Sequence, residues 1–182
     1  MEIPKTLGNS TEEQALLRAI ALWAANYAEE ALAIFERYHP EDKRPRQAIE
    51  AAREYGKGKK RDKNLRIVAL ASFKAAKDID EASKYAARAA TLTASVAYAH
   101  TDLQIGLQGI RQARHILGPI VYAALALENE NNNKNMGDNV IRQAALVAPP
   151  EARHILEHMP AQLKKSGRAE ELFFELDAAL RR

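Results

Sequence analysis

The 182-residue chain contains no cysteine. That excludes disulfides, thiol nucleophiles and cysteine-ligated zinc, and it is compatible with a reducing compartment. Long apolar runs are missing too: every alanine-rich segment is interrupted by charge before it reaches the roughly 18 residues that a membrane span needs. The opening stretch MEIPKTLGNSTEE lacks the charged-then-apolar order of a signal peptide, so the expectation is a soluble, cytoplasmic protein without membrane contact. No segment alternates with the period of a strand, no internal repeat is evident, and neither a glycine-rich phosphate loop nor a Ser/His/Asp constellation occurs. Charge of either sign is nearly balanced, at a net +3, and much of the positive excess sits in Lys57 to Arg66.

What is present is helical periodicity. Ser10 with Glu13 three residues later forms a capping box, and Leu16, Ile20, Trp23, Tyr27, Ala31 and Ile34 recur on one helical face, predicting a helix from about Thr11 to Tyr38. A second is expected from Pro45 to Tyr55, stopped by Gly56 and Gly58, and a third from Leu65 to Lys77. Asp80 caps a fourth, whose stripe Ala82, Ala86, Ala89, Thr93, Val96 and His100 is so rich in small residues that the helix should lie centrally. From Asp102 to Glu128 the pattern stays helical, with a kink or break expected near Pro119. The asparagine-rich stretch 129–139 reads as a polar linker, and three shorter helices follow: Asn139 to Val147, Pro150 to Lys165 and Arg168 to Arg182. The fold expected is all-α: a single-domain array of about seven or eight helices in orthogonal or solenoid-like packing. Residues 1–10 form a tail, 11–128 the helical core, and 140–182 a set of C-terminal helices packed on it.

Four groups of residues carry candidate chemistry. The joint YHPEDKRPRQAIE places Pro45 in a first helical turn, where its missing N–H costs nothing, and Asp42 where it can cap an orphan donor. Arg46, Glu50 and Arg53 then fall on one face, so Asp42, Arg44, Arg46, Glu50 and Arg53 read as a structural clamp or as a partner-binding site. His100 and His115 could form a polar core pair, oriented by Asp102, or in an enzyme reading an acid/base or ligand pair. His154, Glu157 and His158 fit an H-x-x-E-H zinc pattern, but Glu170, Glu171 and Glu175 lie at the wrong spacing for its third ligand, so no metal and no cofactor are expected. The basic run Lys57 to Arg66 lacks interleaved aromatics and reads as a solvated loop, which disfavours nucleic acid as a partner.

Several segments resemble a known family. They are Trp23-Ala24, Ala28-Glu29, Phe35-Glu36, the run from Pro40 to Glu50, Ala87-Arg88-Ala89-Ala90, Ala99-His100 and His115-Ile116-Leu117-Gly118-Pro119. From Trp23 to Glu128 the chain is similar to the immunity-five-like helical domain of immunity proteins found beside bacterial polymorphic toxins. It departs in separating His100 from His115 by Thr101 to Arg114, which looks like an insertion of about three helical turns. The resemblance implies a non-catalytic protein that binds and neutralises a cognate toxin. Arg44, Tyr55 and the exposed parts of the first helix are candidate contacts, and 129–139 a peripheral one. An acidic patch would come from Glu12, Glu13, Glu29, Glu30 and Glu36. A nucleic-acid-associated protein using the 57–66 loop is the alternative, an enzyme using His100 and His115 a third, and association with a second copy stays open.

Overall fold

The computed structural model describes residues 11–100 and 105–182. These form eight α-helices and one 3-10 turn: α1 (Thr11–Tyr38), α2 (Arg44–Gly56), α3 (Lys63–Ala75), α4 (Glu81–Ser95), the turn Val96–Tyr98, α5 (Gly106–Asn131), α6 (Lys134–Leu146), α7 (Pro150–Glu157) and α8 (Arg168–Leu180). The all-α expectation holds, with no strand among the described residues. Ser10 and Asp102, expected as a cap and as an orienting carboxylate, lie outside the described residues.

Three helices make the centre. α1 buries Leu17, Ile20, Ala24, Ala28, Ala31, Leu32 and Phe35. α4 buries Ala82, Ala86, Ala87, Ala89, Ala90 and Ala94, and α5 buries Ile116, Leu117, Ile120, Val121 and Ala124. Alanine lets helix backbones approach closely, so the small-residue stripe does place α4 in the interior, between α1, α3 and α5. Between α4 and α5 the approach is close at Gly118, where an added Cβ would lie 2.4 Å from the Leu92 side chain. α1 also touches α2, α5 and α7, and α5 carries α6 and α8. A stack of nearest neighbours alone lacks such cross-contacts, so the array closes around a shared core.

Four expectations need correction. Of the kink or break expected near Pro119, the break is absent: α5 continues through Pro119, which is buried in the core. Tertiary burial outweighs the hydrogen bond that proline removes. The stretch 129–139 is not a linker: Asn132 adopts the left-handed conformation (φ 47°) that ends α5, and Asn133 caps α6 by accepting from Asn135 N. Asn129 and Asn131 stay helical and donate to the carbonyls of Leu125 and Leu127. The asparagines act as caps and back-bonding residues at two abutting helix ends. α7 stops at Glu157, well short of Lys165, and α8 starts after Gly167 at φ 105°. His100, expected on the α4 stripe, lies beyond α4, past the 3-10 turn, while His115 lies on α5.

Candidate functional site

At the joint, ion pairs run from α2 back to α1. Pro45 sits in the first turn of α2, and Asp42 accepts from Arg44 N at 3.1 Å while also pairing with the Arg44 guanidinium at 2.6 Å. Hydrogen bonding from Arg44 holds the Asp42 carboxyl below its usual range. Arg46 reaches back to α1, donating twice to Glu36 at 2.5 and 2.6 Å and once to Glu29 at 3.4 Å. Its guanidinium holds the Glu36 carboxyl low, chiefly through the hydrogen bonds. Arg53 pairs with Glu29 at 3.7 Å and donates to Asn26 Oδ1 and the Ala25 carbonyl. Glu50 is exposed and acts on Arg46 through its charge.

Two partner-contact expectations fail on this geometry. Tyr55 is 1% exposed and donates to Gln14 Oε1 at 2.8 Å, so it belongs to the core. Of the five acidic residues expected to form a patch on α1, Glu29 and Glu36 are engaged by the α2 arginines and Glu13 is buried, which leaves Glu12 and Glu30 exposed.

The basic run is partly anchored. Asp62 caps α3 by accepting from Asn64 N and Leu65 N. The guanidinium groups of Arg61 and Arg66 lie 5.0 and 4.2 Å from the centre of the Tyr98 ring, and Arg61 donates to the Ala97 carbonyl. Aromatics absent from the run in sequence are thus supplied by the 3-10 turn.

His115 is half-buried on α5, with a buried Nδ1 that finds no hydrogen-bond partner among the described residues. Burial, and then the charge of His100, push its pKa below the ordinary histidine value. His100 itself is exposed, its backbone N–H donating to Gln112 Oε1. In the third pair, His158 Nδ1 lies 2.8 Å from the His154 carbonyl and the rings are 4.8 Å apart. Glu170 and Glu171 are engaged elsewhere, with Arg114 and Arg168. No group of three or more His, Asp or Glu placed to hold a metal occurs among the described residues.

The feature that sequence reading passed over is α3. It leaves Ile67, Leu70 and Phe73 more than half exposed, three residues apart on one side of the helix. Beside them a cavity of about 310 Å³ is lined by Arg66, Ala69, Leu70, Phe73, Thr91, Ser95, Tyr98 and His115. A second hollow, of about 370 Å³, lies beyond Phe73 and is edged by Lys74, Lys77, Lys84 and Arg88. The missed signal was the apolar spacing at positions 67, 70 and 73, on a helix whose buried face uses Leu65, Ala69, Ser72 and Ala75.

These observations define a helical protein with a small-residue core, a clamped N-terminal hairpin and an open apolar side on α3. The chain belongs to the family described as Imm-5 like putative immunity protein, whose profile matches residues 10–149. No curated protein and no solved structure matches it. Among the described residues, no helix is long and apolar enough to cross a membrane.

Proposed function

We propose that this protein binds a cognate bacterial toxin in the cytoplasm and neutralises it without catalysis. Family membership over residues 10–149 carries this reading. The exposed apolar side of α3 supports it, since neutralisation by occlusion requires a surface able to exclude water from a partner. On this reading Asp42, Arg44, Arg46, Glu50 and Arg53 keep the α1–α2 hairpin rigid, and His100 and His115 are structural groups. Stacking of Arg61 and Arg66 on Tyr98 gives part of the basic run a role within the fold and weakens the nucleic-acid alternative.

The test is co-expression with the product of the adjacent open reading frame. Cells should survive when both are made, and the two purified proteins should co-elute in size exclusion. Rescue without a complex, or no rescue at all, would count against neutralisation by binding. Specificity should be narrow, because wrong partners meet clashes and unpaired charges.

A further inference from the structure

We propose that the outer side of α3, with the adjoining edges of α4 and α5, is the docking face, and that it takes an acidic protein surface projecting a bulky apolar side chain. This rests on the neutralisation reading and names the site at which it acts.

The apolar part comes first. Ile67, Leu70 and Phe73 are 63%, 55% and 56% exposed, a concentration of large apolar side chains that a 13-residue helix does not leave in water without cause. Leu70 and Phe73 line a shallow hollow, and Ile67 lies on the same side of the helix. The cavity of about 310 Å³ has Leu70, Phe73, Ala69 and Tyr98 on its walls. His115 also lines it. An apolar pocket of this size suits a single inserted side chain, the arrangement that concentrates binding energy in protein interfaces.

The charge identifies the occupant. Between Lys57 and Arg88 the chain carries ten of its 27 basic residues but four of its 24 acidic ones, while the rest has 17 basic and 20 acidic. Arg66 borders the first hollow, and Lys74, Lys77, Lys84 and Arg88 the second, where they outnumber the one acid of its lining, Asp78, which pairs with Lys77 at 3.8 Å; Phe73 lies on the ridge between the two hollows. An apolar centre ringed by cations complements an acidic surface with an apolar core. The same ring opposes a second copy of this chain docking face to face, since its like charges would meet. It also differs from a phosphate-binding groove, in which cations and not aliphatic side chains occupy the centre.

The experiment measures binding of the full chain to the purified, active-site-inactivated product of the adjacent open reading frame. Phe73→Asp and Leu70→Asp should each weaken binding at least about 30-fold, the scale of an interface anchor. Both should keep the parent's circular dichroism and melting temperature, because the side chains are exposed. The double variant Lys74→Glu, Lys77→Glu should slow association and flatten its salt dependence. Leu146→Asp, on an equally exposed residue at the end of α6, should bind like the parent. If the parent binds and both α3 variants bind as tightly, the face is wrong while neutralisation stands. If the parent does not bind, both readings fall. Self-association of the parent in ultracentrifugation that Phe73→Asp abolishes, or binding to a DNA or RNA oligonucleotide that Phe73→Asp weakens, would also overturn the proposal.

Discussion

Arg46 spans two turns of α1 from a position at the start of α2, contacting Glu36 and Glu29, and so fixes the angle at which the two helices leave their connection. Its side chain is 36% exposed, so solvent screening limits the gain. Arg46→Ala should lower stability at neutral pH by about 1 kcal/mol, read from urea denaturation. The gap has a defined pH dependence. Glu36 is held below its ordinary value of 4.5, so near and below that value the unfolded chain binds more protons than the folded one. The stabilisation is therefore complete above 4.5 and fades as pH falls further, and the parent and variant curves should converge in acid. A gap that stays constant down to full carboxylate protonation would show that Arg46 acts through packing alone. The presence of a charged clamp was legible from Pro45 and the run of alternating sign. Its partners were not, because Glu29 and Glu36 meet Arg46 only once the hairpin folds back, and spacing within α2 says nothing about that.

At the scale of elements, the helices were legible wherever apolar residues recur at helical spacing, and Asp80 caps α4 through Ser83 N as its position implied. Misreadings fell where composition stood in for geometry. Five asparagines between Asn129 and Asn135 suggested a linker, yet one left-handed residue and one cap suffice to turn the chain from α5 into α6. Buried Glu128 helps hold that corner, pairing with Arg168 at 2.9 Å while Arg168 also binds Asp138 and Glu171. The left-handed position gives a sharp expectation. Asn132→Val should destabilise by about 1–2 kcal/mol, because a β-branched side chain crowds its own backbone there, whereas Asn132→Gly should be neutral or slightly stabilising. Equal urea midpoints for all three proteins would contradict this account of the corner. The open side of α3 escaped notice for a related reason: periodicity reports that a helix has an apolar side, but not that it has a second one left uncovered.

For the molecule as a whole, the family match ends at residue 149, but the core does not. α7 lies on α1, and α8 lies on α5 and α6, burying Leu172, Phe173, Leu176 and Leu180. Arg114 binds Glu170 through both carboxylate oxygens while stacking over Phe173, which ties α8 to the middle of α5. Shared burial of this kind couples the C-terminal helices to the rest. Thermal unfolding followed by circular dichroism and by tryptophan fluorescence, which reports Trp23 in α1, should give one coincident transition. Removal of residues 150–182 should leave an aggregation-prone chain. Two separated transitions would mean that the C-terminal helices unfold as a unit of their own.

The arginines of α2 cancel the acids of α1 on one side, while cations crowd the α3 side. A chain of small net charge is thereby given a pronounced electrical polarity. Against a sulfonated resin or an anionic chip it will orient rather than tumble onto the surface at random, α3 side down. Reagents that acylate lysine will likewise find a concentration of targets around Lys57, Lys59, Lys60, Lys74 and Lys77, all exposed.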